Sequence, residues 1–234
     1  MRGKFIVFEG GEGSGKTTQI QRLYQWLETG LKTEEALQLL RTKDNFRGVK
    51  LTREPGGTLL GKQIRQLLLN PPEATAITSK TELLLYAADR AQHVEETLIP
   101  WLEAGYWVLC DRYTDSTVAY QGYGRQLDLD LIHQLNQIAT CQLKSDLTFW
   151  LNLPPSVGLA RMQQRGSADR IEQASNAFHQ RVSDGFLALA KPTEKGDRHP
   201  LSSGPTIEIA ADRPVEIVAT QIQQALRQKI SEWF

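Results

Sequence analysis

Short apolar runs alternate with amphipathic segments of helical period along the whole chain. This alternation is typical of βαβ units, in which helices cover both faces of a parallel sheet. The sequence therefore predicts a three-layer α/β/α fold with a five-stranded parallel sheet. The predicted strands are Phe5 to Glu9, Val49 to Thr52, Trp107 to Asp111, Leu147 to Leu153 and Thr206 to Ala210.

Amphipathic segments fill the intervals between these strands and extend beyond the last one. The predicted helices are Gly15 to Leu27, Leu59 to Leu69, Ser79 to Ala104, Asp128 to Thr140, Pro155 to Gln164, Glu172 to Ala190 and Pro214 to Trp233. The second helix is expected to carry a single apolar stripe, formed by Leu59, Leu60, Ile64, Leu67 and Leu68.

The third helix begins with Ser79 and Glu82, which fit the S-x-x-E capping box. It continues to about Ala104 unless Pro100 kinks it.

Three regions have no regular pattern. Residues 30–48 are strongly charged and contain a candidate short helix, Glu34 to Leu40. Arg165 to Ile171 and Lys191 to Gly204 are predicted loops, and the first of them belongs to a predicted lid segment at about 158–172. The length, 234 residues, favours a single domain over 1–234.

The charges exclude some classes of function. Lys plus Arg and Asp plus Glu both number 27, so no overall field points to nucleic acid or to a membrane. The two cysteines, Cys110 and Cys141, have no pairing or metal spacing, which is typical of a reducing compartment. The apolar stretch Phe5 to Phe8 is too short for a signal peptide. A cytoplasmic location is expected.

A phosphate-binding loop follows the first strand. Residues 10–17 read G-G-E-G-S-G-K-T, which fits G-x-x-x-x-G-K-[ST] between a strand and a helix. Backbone N–H groups would surround the phosphates, Lys16 would reach the β and γ oxygens, and Thr17 would ligate Mg²⁺. The fold is thus of the P-loop NTPase type. The predicted ATP-binding residues are Gly10, Gly11, Glu12, Gly13, Ser14, Gly15, Lys16, Thr17 and Thr18.

Such a loop is shared by switches, ATPases and kinases. The base-reading string N-K-x-D of switch GTPases does not occur in the sequence. Arg53 and Arg112 follow the second and third strands, whose carboxyl ends should border the same crevice as the loop. Asp111 closes a buried strand, where a carboxylate can hold Mg²⁺, although a helix cap or an ion pair with Arg112 is the alternative. Arginines beside a phosphate loop favour phosphoryl transfer.

Five further strings follow the loop. They are T-R-E-P-G-G-T (52–58), Y-A-A-D-R (86–90), D-R-Y (111–113), A-Y-Q-G (119–122) and D-R-I-E-Q (169–173). Together with the loop they resemble the thymidylate kinase family over nearly the whole chain. The resemblance implies transfer of the γ-phosphoryl group from ATP, with Mg²⁺, to thymidine monophosphate (dTMP).

The resemblance also implies roles on the acceptor side. Arg53 and Arg112 would hold the acceptor phosphate, because guanidinium groups match its oxygens. Tyr86 would stack on thymine, with core packing as the alternative, and Arg90 would donate to a base carbonyl. The remaining implied contacts are Thr117 at the base edge, Tyr120 and Gln121 beside the sugar, and Glu12 near the sugar 3′-hydroxyl or acceptor side.

Position 13 is Gly, and family members with this feature use a lid arginine to stabilise the transferring group. Arg165 and Arg170 flank Gly166 and are the candidates, whereas Arg161 reads as a surface residue. The resemblance further suggests a homodimer. Two rivals stay open at this stage: a nucleotide kinase with a different base choice, and a switch that binds ATP without an acceptor.

Overall fold

The computed structural model describes residues 2–33, 37, 46–72, 76–164, 166, 169–191 and 199–233. Its centre is a five-stranded parallel sheet with strand order β2-β3-β1-β4-β5, flanked by helices on both faces. The predicted fold class is confirmed, and each predicted strand matches to within one residue at its ends. The strands are β1 (Phe5–Glu9), β2 (Val49–Arg53), β3 (Trp107–Asp111), β4 (Leu147–Asn152) and β5 (Thr206–Ala210).

The central strand β1 shows why both faces need helices. All of its residues are buried, and successive side chains enter opposite cores. Ile6 and Phe8 belong to the larger core, whereas Phe5 and Val7 belong to the core on the other face. A strand buried on both sides reads as a continuous apolar run, which is the pattern the sequence displays.

Strand order also places the site. β1 lies between β3 and β4, and β2 lies beyond β3, so the carboxyl ends of β1, β2 and β3 are neighbours. In open parallel sheets ligands bind at this edge. The phosphate loop follows β1, Arg53 is the last residue of β2, and Arg112 follows β3.

The predicted helices occur in the predicted order, but the third is interrupted, an additional short helix lies at Thr114–Thr117, and several boundaries differ. Their bounds are α1 (Lys16–Thr33), α2 (Leu59–Leu69), α3 (Ser79–His93), α4 (Ile99–Glu103), α5 (Thr114–Thr117), α6 (Leu129–Thr140), α7 (Pro155–Gln163), α8 (Asn176–Ala190) and α9 (Val215–Trp233).

The predicted helix from Ser79 to Ala104 is interrupted by a π-helical segment, Val94–Leu98, between α3 and α4. Pro100 lies in the first turn of α4. Proline is tolerated there because the N–H groups of a first turn have no acceptor within the helix. A second π-helical segment, Val118–Gly124, follows α5 and was not predicted. Residues 114–124 contain polar and glycine residues that lack a clear helical period, so sequence reasoning left them without an element.

Two local predictions are wrong. The apolar stripe of α2 is divided, because Ile64 and Leu68 are buried while Leu59, Leu60 and Leu67 are exposed. The predicted capping box of α3 is absent: the N-cap is Thr78, whose hydroxyl accepts from the N–H of Thr81. The carboxylate of Glu82 serves another purpose, described below.

Some predictions fall outside the described residues. The candidate helix Glu34 to Leu40 is described only at Leu37, which is buried. Arg165 and residues 192–198, half of the predicted loop from Lys191 to Gly204, also lie outside them. Within the described part of the chain, no helix has the length and apolar character needed to cross a membrane.

Candidate active site

The phosphate loop connects β1 to α1 through three glycines with positive φ. The φ values are 143° at Gly10, 68° at Gly13 and 86° at Gly15, a region that glycine enters without steric cost. The side chain of Lys16 is buried and its Nζ donates to the carbonyl oxygens of Gly10 and Gly11, at 2.9 and 2.8 Å. The loop therefore holds its own lysine at the position where phosphate oxygens would replace these carbonyls.

Burial and the nearby charge of Arg112 lower the pKa of Lys16 to about 8. The carboxylates of Glu12 and Asp111 act in the opposite direction. A bound triphosphate would add negative charge next to the ammonium group and favour its charged form.

Helix α7 packs directly on the loop. A Cβ at Gly158 would overlap the carbonyl oxygen of Glu12, and a Cβ at Gly13 would overlap the carbonyl oxygen of Gly158. Arg161, three residues after Gly158, donates from Nη1 to the carbonyl oxygens of Gly13 (3.3 Å) and Ala211 (3.2 Å). The expectation that Arg161 is a surface residue is wrong, because α7 turns this side chain toward the loop.

Thr17 and Asp111 provide a pair of oxygen atoms at the end of the loop. The Thr17 hydroxyl donates to Oδ2 of Asp111 at 3.0 Å, although the two residues are far apart in sequence. Mg²⁺ prefers oxygen ligands and, at nucleotide sites, uses one or two protein groups together with phosphate oxygens and water. This pair fits such a cation. Among the described residues, no group of three or more His, Cys, Asp or Glu side chains suits a metal held by protein alone.

Arg112 connects the phosphate loop to the residues after β3. Its Nη2 donates to Oε1 of Glu12 at 2.6 Å and to the hydroxyl of Tyr120 at 3.2 Å. Its Nη1 donates to the carbonyl oxygen of Gly10 at 3.0 Å and to Ser116 at 3.1 Å. The predicted cluster of Glu12, Arg112 and Tyr120 is thus brought together.

The charges of this cluster reinforce one another. Burial alone would raise the pKa of Glu12, but Arg112 and Lys16 lower it to about 2. Burial opposes the charge of Arg112, yet Glu12 raises the pKa of the guanidinium further. Tyr120 also donates its hydroxyl proton to Glu12 at 2.7 Å. Glu12 is therefore a carboxylate and Arg112 a cation across the working pH range.

A cleft of about 250 Å³ extends from the phosphate loop to α3 and to the segment at 169–172. Its walls include the predicted acceptor residues Arg53, Tyr86, Thr117 and Gln121. Tyr86 reaches this cleft, so core packing does not account for its position. The cleft contains the two halves that the sequence predicted: a phosphate loop at one end and an aromatic and arginines at the other.

Arg90 also lines the cleft but is almost fully buried. Its Nε donates to Glu54 at 2.8 Å, Nη1 to Asn136 at 2.8 Å, and Nη2 to the carbonyl oxygen of Tyr113 at 3.0 Å. A guanidinium group has five N–H donors, so these bonds leave some for a ligand. Its contact with a base carbonyl stays a prediction.

Glu82, which the sequence assigned to a helix cap, is a buried acceptor. Its carboxylate accepts hydrogen bonds from Gln121, from Arg125 and from Arg170. Arg170 also donates from Nε to the carbonyl oxygen of Leu68 at 2.8 Å. Of the two predicted lid arginines, Arg165 lies outside the described residues, and Arg170 is turned toward Glu82 in this structure.

Sequence reasoning missed several residues of the cleft. Glu54 holds both Arg90 and His93, whose Nδ1 lies 2.9 Å from Oε1 of Glu54. Arg65 lines the cleft from α2, and burial together with the charge of Arg53 lowers its pKa. A signal for Arg65 existed, because it is a cation beside the buried positions Ile64 and Leu68 of its helix.

Comparison with known proteins agrees with this geometry. The family model described as "Thymidylate kinase" matches residues 8–222. The chain belongs to the thymidylate kinase family. A relative named thymidylate kinase, from Cyanothece sp. (strain PCC 7425), is 53% identical to this chain. The match covers 100% of this chain and 97% of the relative. The relative in Trichodesmium erythraeum is also 53% identical, covering 100% of this chain and 99% of the relative.

A third relative has a similar match. The thymidylate kinase of Carboxydothermus hydrogenoformans is 52% identical over 191 residues, covering 82% of this chain and 86% of the relative. Thymidylate kinases are ATP-dependent nucleoside monophosphate kinases and generally act with Mg²⁺. The resemblance that the motifs indicated is therefore confirmed at the level of the family.

Proposed function

We infer that this chain transfers the γ-phosphoryl group of ATP to the phosphate of dTMP, giving dTDP and ADP on the route to dTTP. One observation carries this inference: a phosphate loop and an arginine-rich acceptor pocket share one cleft, in a chain of the thymidylate kinase family. A switch protein has no use for the second half of that cleft. The family match favours thymine over other bases.

The phosphate loop binds the donor nucleotide. Backbone N–H groups of residues 10–18 and Nζ of Lys16 surround the β- and γ-phosphates, and the N-terminus of α1 adds partial positive charge. Thr17 and Asp111 would hold Mg²⁺, which supplies charge neutralisation when bound with ATP. Lys16 leaves the carbonyl groups of Gly10 and Gly11 to reach the phosphates.

Arg53 and Arg112 bind the acceptor phosphate, and Arg112 connects the two halves through Glu12. Catalysis of phosphoryl transfer consists mainly of alignment and charge neutralisation. Tyr86 stacks on the base, and Arg90 and Thr117 contact its edge. Tyr120, held by Glu12, leaves little room for a ribose 2′-hydroxyl group.

The chain acts as one domain over 1–234, with a lid at about 158–172. In this proposal Arg165 and Arg170 are the candidates for stabilising the transferring group. Arg170 must first leave Glu82 and Leu68. Closure of the lid would also exclude water from the reaction.

The protein is proposed to form a homodimer. Helix α2 packs on α3, and α3 packs on α6. Each of these three helices carries large apolar side chains that are exposed. They are Leu59, Leu60 and Leu67 on α2, Leu84 on α3, and Leu131 and Ile138 on α6. An apolar face of this kind is typical of an interface, and a second copy is its proposed occupant. A cytoplasmic location belongs to the proposal, because Cys110 and Cys141 are both free thiols.

A panel of monophosphates tests the function. Release of ADP is measured with ATP, Mg²⁺ and each deoxynucleoside and ribonucleoside monophosphate in turn. We expect dTMP to give the highest kcat/KM, and the Lys16→Ala variant to lose this activity by at least about a hundredfold. A different preferred base would favour the rival nucleotide kinase. No turnover with any monophosphate would leave only a switch.

A further inference from the structure

The amide group of Gln121 lies at the wall of the cleft, and one buried carboxylate determines its orientation. Gln121 lines the cleft and is 2% exposed. Its Nε2 donates to Oε1 of Glu82 at 2.8 Å. Since a carboxylate only accepts hydrogen bonds, the NH₂ end of the amide must face Glu82. The carbonyl Oε1 is therefore the end that is available to the cleft.

Glu82 is held as a carboxylate by its other partners. Arg125 donates to both of its oxygens, at 3.1 and 3.0 Å, and Arg170 donates to Oε2 at 2.6 Å. Burial by itself raises the pKa of Glu82, but hydrogen bonds from Arg125 and Gln121 lower it below its usual value. Arg125 thus keeps this side chain charged and fixed, and Arg170 adds a second guanidinium donor while it stays at Glu82.

The orientation of Gln121 bears on the base, because Glu82 and Tyr86 share one face of α3. They are separated by one helical turn, which places their side chains next to each other. Both residues lie near enough for the charge of Glu82 to raise the pKa of the Tyr86 hydroxyl, in addition to the effect of burial. Gln121 is consequently beside the ring that is proposed to stack on the base, whereas the sequence placed it beside the sugar.

We propose that Glu82 is a specificity-determining positioning residue, which acts by fixing the amide of Gln121 with its carbonyl oxygen toward the base. This inference rests on the proposed function. A fixed acceptor suits a pyrimidine whose ring nitrogen carries a proton, as in thymine and uracil. It repels cytosine, whose corresponding nitrogen carries a lone pair. Glu82 itself does not touch the substrate.

Substitution of Glu82 by Gln tests the proposal. The new amide can offer Gln121 either an oxygen or an NH₂ group, so the Gln121 amide can turn over and offer a donor to the cleft. We expect the ratio of kcat/KM for dTMP to that for dCMP to fall at least about tenfold, the factor that corresponds to one hydrogen bond. An unchanged ratio in a folded Glu82→Gln protein would overturn the proposal.

Two further variants separate specificity from general loosening. Arg125→Gln removes one partner of Glu82 but leaves the carboxylate that accepts from Gln121, so we expect the ratio to stay within about threefold of wild type. Glu216→Gln is a matched control in a surface pair with Arg22, at 3.0 Å, and should have no effect. If Arg125→Gln lowers the ratio as much as Glu82→Gln, the proposal is wrong.

A double-mutant cycle shows whether Glu82 acts through Gln121. Gln121→Met alone leaves the buried charge paired, and it should lower the dTMP to dCMP ratio about as much as Glu82→Gln does. In the Gln121→Met background, Glu82→Gln should have no further effect on the ratio. Wild-type selectivity in Gln121→Met would overturn the inference even if Glu82→Gln did not fold. Failure of the wild-type protein to use dTMP would instead reject the proposed function.

Discussion

At the scale of single residues, the side chain of Arg112 contacts both the phosphate loop and Tyr120. Its backbone has a φ of 72°, which is unusual for a residue other than glycine. Its backbone N–H donates to the carbonyl oxygen of Phe8 at 2.9 Å, and its guanidinium group contacts Glu12 and Tyr120. A strained backbone held by so many contacts is typical of a functional position.

We expect Arg112→Ala to lower kcat/KM for dTMP by about a hundredfold to a thousandfold, because it removes a cation from the path between two polyanions. The measurement is ADP release at varied dTMP. Arg22→Ala is the matched control, since Arg22 pairs with Glu216 on the surface. Activity of Arg112→Ala close to that of the control would remove Arg112 from the mechanism.

Glu9, at the end of β1, has a buried carboxyl group whose raised pKa should make the stability of the protein depend on pH. Its carboxyl group is fully buried and accepts from the N–H groups of Tyr113 (2.7 Å) and Ser116 (3.1 Å). Burial, followed by the charge of Asp115, raises the pKa of Glu9 from 4.5 to about 8. The native state therefore holds a proton that the unfolded chain has lost between these two pH values.

This proton makes the free energy of unfolding fall as the pH rises from about 5 to about 8. The contribution of Glu9 to the slope is about 1.4 kcal/mol per pH unit. We expect Glu9→Gln to flatten the slope by roughly that amount, measured by urea denaturation at several pH values. Asp115, whose pKa burial raises to about 6, leaves part of the slope in place. Equal slopes in the variant and in wild type would contradict the prediction.

At the scale of secondary-structure elements, helix α7 packs closely against the phosphate loop. Their backbones approach so closely that Gly158 and Gly13 have no space for a Cβ. Neither glycine is in a position where sequence reasoning could see this contact, because 145 residues separate Gly13 from Gly158. Only the arrangement of β1 beside β4 brings the loop and the start of α7 together.

We predict that Gly158→Ala displaces the phosphate loop and raises KM for ATP at least about tenfold. In an ordinary helix this substitution stabilises by up to about 1 kcal/mol, so a loss of stability together with weaker ATP binding would be diagnostic. Val157→Ala is the control in the same helix, where the side chain is partly exposed. ATP titrations and thermal melts measure both effects. Tighter ATP binding in Gly158→Ala would show that the close approach has no role.

At the scale of the whole molecule, the main feature is the apolar face that α2, α3 and α6 form. Leu59 is 78% exposed and Ile138 is 74% exposed, which leaves large apolar side chains without cover on this face. The sequence predicted a single apolar stripe on α2. In the structure the stripe is divided between a buried face and an exposed face, and a second copy of the chain is the proposed occupant of the exposed one.

We expect Ile138→Lys to weaken the proposed dimer by at least about thirtyfold, because it places a charge in an apolar interface. Sedimentation at varied protein concentration measures the change. Ile217→Lys is the matched control, at an exposed position on α9 away from this face. A wild-type protein that is monomeric at high concentration would contradict the prediction, and so would an effect of equal size in both variants.

The amino-acid sequence alone determined the features that depend on residues close to one another along the chain. The order of strands and helices, the phosphate loop after β1 and the residues following β2 and β3 can all be read from local pattern, because parallel strands present their carboxyl ends at one edge. The family strings were equally local. These features place Lys16, Thr17, Arg53, Asp111 and Arg112 around one cleft.

Tertiary structure alone decided which partners the buried charges have. Glu82 looked like a helix cap, since Ser79 lies three residues before it. Its actual partners Gln121 and Arg170 are 39 and 88 residues away in the sequence. A local pattern contains information about the next turn of a helix, but a buried carboxylate is stable only where distant segments bring donors to it. The packing of α3 against residues 118–124 and 169–174 supplies those donors.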